Sequence, residues 1–284
     1  MHARIRPAFI TLILFLAARG VSAQDGPIFL ATDTDLEKGR KIMEAVDDYG
    51  HSPEAMISET TMVIVKGDPD NAIVKRSKTF RREYAGGITK TLSETVYPSR
   101  MKILSHSYPD RSDDVWIKLS SGSPKRISGS GKQGYIQNSH FTYEDMESTN
   151  LDESEYRYLG EVSIKVEGDD TTCYKIESEK VLGEESRYSK KQIYVRKTDL
   201  FVVRTDMWDQ NGNPHKTRRV LQTAQVHGLE IYTIAVKIGV SLVNDPTTAR
   251  INEGKNQYTI MEMTNVIVDD AAGIDESIFR KESM

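Results

Sequence analysis

Ser139 and His140 stand side by side in the chain, and they are the residue types of a nucleophile and its base. Hydroxyl attack needs that base within hydrogen-bond reach and an acid to orient it. Adjacent residues on an extended strand point to opposite faces, and no glycine-flanked elbow surrounds Ser139. The pair therefore argues against a Ser–His hydrolase. His51, His106, His140, His215 and His227 are too scattered to pair as zinc ligands. Neither a Walker pattern nor a G-x-G-x-x-G occurs, and Asp113-Asp114 and Glu184-Glu185 read as solvated turns. The expectation is a protein that is not an enzyme, with no catalytic residues, no metal and no cofactor.

Two further groups have chemical potential. Cys173 shares its strand parity with Lys175 and Glu177, which points to a partly exposed face. It reads more readily as an unpaired, dispensable cysteine than as a redox thiol. The run Val74 to Tyr84 is basic in an acidic chain. It is either a solvated strand face or a cationic rim for an anionic headgroup or acidic partner.

The elements that must position these residues are mostly strands. One helix is expected near the start, capped by Thr34 or Asp35 and closed by Tyr49-Gly50, with Leu36, Ile42, Met43 and Val46 at helical spacing. The period then changes to two. Val162, Ile164 and Val166 alternate with polar neighbours, as do Ile193 and Val195, and Tyr232 through Ile238. Further strands are expected at 60–66, 74–84, 89–96, 115–119, 173–181 and 200–208. Turns fall at 168–170, 183–185 and 209–213, where Asn211 or Gly212 can take positive φ. About ten strands with few helices imply one curved antiparallel sheet, a mainly β (α+β) fold. Residues 244–256 read as the longest late loop, and a short helix from about Asp275 would carry Ile278 and Phe279 to the core.

The first 23 residues look like an export signal. Arg4 and Arg6 precede the apolar stretch Pro7 to Ala18, and Val21-Ser22-Ala23 suits cleavage before Gln24. The stretch is short of the roughly 20 apolar residues that span a bilayer. No cysteine lies near the cut, so the product is expected in the periplasm, soluble and not a lipoprotein, as a single domain over 24–284. The leader takes three arginines from 38 Lys+Arg and no acids from 42 Asp+Glu, which leaves a formal charge of −7. Such a charge argues against a nucleic-acid partner. With Cys173 alone, stability must come from packing and strand pairing.

A family becomes visible between Asp114 and Asp152. Asp114-Val115-Trp116-Ile117-Lys118-Leu119 is followed by Pro124-Lys125-Arg126-Ile127-Ser128-Gly129-Ser130, and then by Asn138-Ser139-His140-Phe141-Thr142-Tyr143-Glu144-Asp145-Met146. This order resembles the outer-membrane lipoprotein-sorting (LolA-like) family, with its D-x-W strand, R-I-x-G-S strand end and G-S-D-F-x-Y-E-D stretch. Asn138 replaces the family's Gly, and His140 its Asp. The resemblance implies a half-open β-barrel covered by a few helices, with an apolar cavity for acyl chains. Trp116, Phe141 and Tyr143 are then the nearest aromatic candidates for ligand contact or core packing. Arg126, Ser128, Gly129, Ser130, Ser139, Glu144 and Asp145 form the structural motif, in which Arg126 either pairs with Glu144 or Asp145 or meets cargo. The function implied is a periplasmic carrier of lipid or lipoprotein acyl chains across the cell envelope. The alternative is a non-carrier accessory subunit of an inner-membrane RND-type transporter.

Overall fold

A computed structural model describes residues 26–48, 53–109, 111–146, 150–229, 231–242 and 257–284. The expected leader, the helix end at Tyr49-Gly50, His51 and the late loop 244–256 lie outside the described residues. Helix α1 (Asp35–Asp48) begins with a reciprocal cap. The Thr34 hydroxyl accepts from the Glu37 N–H at 3.2 Å, and the Glu37 carboxylate accepts from the Thr34 N–H at 2.7 Å.

Strands β1 (Ala55–Lys66), β2 (Ile73–Tyr84), β3 (Ile88–Tyr97), β4 (Met101–Ser107), β5 (Asp114–Leu119) and β6 (Lys125–Ile127) form one antiparallel meander. A second runs through β7 (Ser154–Val166), β8 (Asp169–Lys180), β9 (Tyr188–Arg196), β10 (Val202–Asp209), β11 (Pro214–His227), β12 (Ile231–Leu242) and β13 (Gln257–Val268). Pairing of β13 with β1 merges the two into a single sheet of order 6-5-4-3-2-1-13-12-11-10-9-8-7. Thirteen strands exceed the ten expected because β4, β6 and β11 escape the alternation rule.

The order has one topological consequence. The two edges, β6 and β7, are consecutive in sequence but lie at opposite ends of the sheet. Residues 128–153 must therefore travel from one edge to the other. They do so across the inner face, the face that α1 also covers. One rung of that face runs Ile176, Ile193, Thr205, Arg218, Val240, Thr259, Ile64, Ile73, each directly opposite the next.

On the inner face α1 packs Ile42 and Met43 against Tyr156, Tyr174, Ile176 and Val195. Gly39 permits the approach, since a Cβ there would lie 2.3 Å from the Tyr156 carbonyl oxygen. On the outer face a second rung, Phe80, Leu92, Leu104 and Trp116, lies under the C-terminal residues Ile274, Ile278, Phe279 and Met284. The expected terminal helix is a 3-10 turn, Glu276–Phe279, capped by Asp275 and carrying Phe279 inward. Among the described residues α1 is the only α-helix. The cover of the sheet is thus one helix and irregular chain, where a few helices were expected.

Candidate functional site

The crossing segment makes the site. Tyr135 and Thr142 form an isolated bridge, and between them the chain turns back on itself. The Ile136 N–H donates to the Phe141 carbonyl at 2.8 Å, and the Ser139 N–H to that of Ile136 at 2.8 Å. Gln137 and Asn138 sit at φ 51° and 62°. Asn138 is where the resembled family has Gly, and asparagine is among the few residues that tolerate this left-handed conformation. The departure keeps the backbone geometry.

This turn places Phe141 at the centre of an apolar patch with Ile136 and Val240, flanked by Ile103, Tyr143, Ile238 and Met261. Polar ties hold the turn to strands on both sides. Lys75 donates to the Gln137 carbonyl at 2.7 Å, and the Gln137 amide to Thr95 at 2.7 Å. His140 contacts Thr259 through Nδ1 at 2.8 Å and Gln257 through Nε2 at 3.3 Å. Burial keeps its imidazole below the usual range. Ser139 does not face His140; its hydroxyl accepts the Phe141 N–H at 3.1 Å. The adjacent pair is a turn device.

At the end of the turn, Asp145 and Lys216 form an ion pair of 2.5 Å with side chains 1 % and 0 % exposed. The Tyr188 hydroxyl and the Thr142 N–H also donate to Asp145, both at 2.7 Å, and Lys216 reaches the His140 carbonyl at 3.2 Å. Burial opposes charge on Asp145, but Lys216 and these donors hold its carboxyl below the usual carboxylate range. Burial outweighs Asp145 at Lys216 and lowers that amine, and it pushes the Tyr188 hydroxyl far up. Glu144 accepts from Ser186 and the Arg187 N–H at 2.6 and 2.8 Å, with Lys191 at 3.3 Å.

Of the aromatic candidates, the fold brings Phe141 and Tyr143 together. Trp116 is elsewhere, on the outer face beside His106 and under the C-terminal turns. Arg126 pairs with Asp114 on the neighbouring strand, at the exposed sheet edge, and not with Glu144 or Asp145. Ser128 precedes a 3-10 turn that begins at Gly129 and includes Ser130. Cys173 is fully buried, contrary to the exposed face expected, and desolvation raises its thiol to about 11. The bent β7–β8 hairpin covers it with Val162 and Val166. Lys216 carried no sequence signal, because a lysine beside a hairpin loop reads as solvated.

Two open volumes beside the crossing segment are charged. About 170 Å³ remains on the inner face between Met43, Glu144, Asp145, Lys191, Ile193 and Arg218. About 380 Å³ lies in the seam between the unpaired edges, with Arg126, Lys132, Glu144, Glu153 and Lys180 in its walls. The apolar cavity that the resemblance implies is not open on the inner face, where Phe141 packs against Ile103, Ile238, Val240 and Met261. Among the described residues no group of three or more His, Cys, Asp or Glu could hold a metal, and no helix is long and apolar enough to cross a membrane.

A family model described as "Uncharacterized protein" matches residues 87–284. No curated protein matches the chain. Among solved structures, a DUF1329 family protein from Desulfovibrio piger superposes with a TM-score of 0.75 at 21 % identity, over 88 % of this chain and 99 % of the other. A putative outer membrane lipoprotein-sorting protein domain from Vibrio parahaemolyticus gives 0.72 at 20 % identity, over 87 % and 98 %. A LolA superfamily protein from Nitrosomonas europaea gives 0.60 at 15 %, over 87 % and 99 %.

Proposed function

The chain belongs to the family whose model spans residues 87–284, and it carries the LolA-like fold; from that premise we propose an envelope carrier that binds lipid or lipoprotein acyl chains on the inner face of the sheet. In this reading the protein is exported, cleaved near Ala23 and released unanchored into the periplasm, and it binds cargo without chemistry. The observation that supports it is the cover of the inner wall. Ile103, Ile238, Val240 and Met261 are packed by Phe141 and Ile136 of a crossing segment, and not by a second sheet. That segment holds its place through directional polar ties, which can be exchanged for water when it moves.

The energetics permit the exchange. Exposing Phe141 costs about 1.5–3 kcal/mol, and each methylene buried in its place contributes roughly 0.8 kcal/mol. A dozen methylenes contribute roughly 10 kcal/mol, which exceeds that cost together with the roughly 3–5 kcal/mol of separating Asp145 from Lys216. The charged 170 Å³ cavity cannot itself take such a chain, so loading requires the segment around Phe141 to shift.

Mass spectrometry of lipids extracted from the periplasmic protein tests the reading, together with uptake of a fluorescent fatty acid. The expected result is a co-purifying acyl lipid that the probe displaces. A protein that is always empty and never takes up the probe overturns the carrier. If that empty protein co-purified with an inner-membrane RND-type transporter, the accessory role would stand instead.

A further inference from the structure

On the outer face of the second meander lies a buried polar cluster that the inner-face site does not use. Asp206 is its hub. Arg204 grips it through Nε at 2.8 Å and through its terminal nitrogen at 2.8 Å, while Tyr194 and Thr217 donate their hydroxyls at 3.1 and 2.9 Å. With four donors around it the carboxylate is saturated. Arg219, directly opposite Arg204 on the next strand, is left over, and its buried Nε has no hydrogen-bond partner. Asp206 is taken up by Arg204, Tyr194 and Thr217, and none of its hydrogen bonds goes to Arg219.

The same Arg219 borders a cavity of about 260 Å³. One wall is β10 and β11, with Val203 and Val220. The other is the tip of the β7–β8 hairpin, with Ile164 and Val166. The hairpin bulges at Gly160 (φ 106°), and its Glu167 carboxylate is tied to the backbone N–H and hydroxyl of Thr223 on β11. At the mouth, Lys165 and Asp170 neutralise each other at 2.9 Å. The cavity is therefore apolar along its sides, charged at one end, and roofed by a latched hairpin.

We propose that this cavity binds a small aliphatic carboxylate, with Arg219 holding the anion and Ile164, Val166 and Val203 enclosing its carbon chain. Charge selects the ligand class. The single guanidinium of Arg219 is matched by a monocarboxylate, whereas a phosphate or sulfate dianion would exceed its charge and leave the apolar walls uncovered. Size agrees, because the volume falls just below the roughly 300 Å³ at which pockets for drug-sized ligands begin. An unsatisfied buried donor is a cost that such an anion removes. Burial, with Arg204 alongside, also lowers the Arg219 guanidinium to about 10, as befits a cation that lacks its counter-ion.

Calorimetric titration of the purified protein with octanoate, octanol and sulfate tests the site. Octanoate is expected to fill one Arg219-dependent site per chain, and octanol and sulfate to bind that site at least about tenfold more weakly, the loss that goes with one charge-assisted hydrogen bond. Arg219→Met should cost at least the same factor while leaving the ligand-free Tm unchanged or higher, since it removes an uncompensated charge. Arg219→Lys, which keeps the charge without the fork, should fall between. Arg219→Met should leave uptake of the long-chain fluorescent fatty acid unaltered, since that probe is too large for a cavity of about 260 Å³, which separates this site from acyl carriage on the inner face. The proposal is overturned if octanoate does not bind, if sulfate binds as tightly, or if binding is indifferent to Arg219→Met.

Discussion

Two stretches of irregular chain lie over opposite faces of the sheet, and different forces hold them. The C-terminal stretch on the outer face is attached mainly by apolar side chains. Ile274, Ile278, Phe279 and Met284 pack on Phe80, Leu92, Leu104 and Trp116, and few polar contacts join them, among them His106 with the Phe279 carbonyl at 2.9 Å. The crossing segment on the inner face pairs two apolar anchors, Phe141 and Ile136, with a buried ion pair and a set of side-chain hydrogen bonds. Apolar contact is non-directional and tolerates small shifts. A buried ion pair does not, because either partner left alone is an uncompensated charge. The inner cover is thus built to be fully docked or released, as the proposed carrier requires.

The largest expected effect comes from splitting that pair. Asp145→Ala leaves the Lys216 charge buried and should cost about 3–5 kcal/mol in urea unfolding. Adding Lys216→Met should restore most of the loss. Phe279→Ala should cost about 3 kcal/mol through the cavity it leaves on the outer face, with no partner change able to rescue it. A double variant as weak as Asp145→Ala alone would erase the distinction between the two covers.

A smaller effect is expected from pH. Burial lowers the imidazoles of both His140, inside, and His106, outside. The unfolded chain then takes up protons first. The contribution of each histidine is complete above the ordinary value of 6.5 and is lost as pH falls from there toward its folded value. Asp145 is depressed, so its contribution lasts through that window and fades only below the usual 3.8. Thermal melts from pH 7 downward should lose stability first through the histidines. His140→Gln and His106→Gln should each flatten part of that slope, and an unchanged slope in both would remove these two histidines from the account and leave His215, which burial also lowers.

Much of the sheet was legible because hairpins advertise themselves. Alternation marked β7, β9 and β12, and the loop 209–213 turned where expected, with Gly212 at φ 77°. β4 was not legible, since both of its faces are covered. Ile103 faces the crossing segment and Leu104 the C-terminal turns, so apolar residues are consecutive there and the period of two disappears. Cys173 misled for a related reason. Lys175 and Glu177 on the same face suggested water, but the bend at Gly160 brings the hairpin's own apolar residues over the thiol. The family motif marked Phe141, Tyr143 and Asp145 as one stretch, yet neither the face of Trp116 nor the partner of Asp145 could be read from it. Both depend on which strands lie side by side, and Lys216 is 71 residues from Asp145.

The smallest expected effect is at Arg126, the residue on which the motif bears most heavily. Resemblance gave it the choice of pinning the crossing segment through Glu144 or Asp145, or of touching cargo. In the fold both acids already have partners, and Arg126 pairs with Asp114 across an edge strand, its own side chain 57 % exposed. A pair that solvated contributes less than about 1 kcal/mol. Arg126→Leu should accordingly leave the urea midpoint almost where it is, in contrast with Asp145→Ala. Arg126 and Glu144 do border the same 380 Å³ seam between the sheet's unpaired edges. A loss well above 1 kcal/mol would therefore mean that the arginine crosses the seam in solution and fastens the segment there, so that the inner cover has a second charged lock besides Asp145 and Lys216.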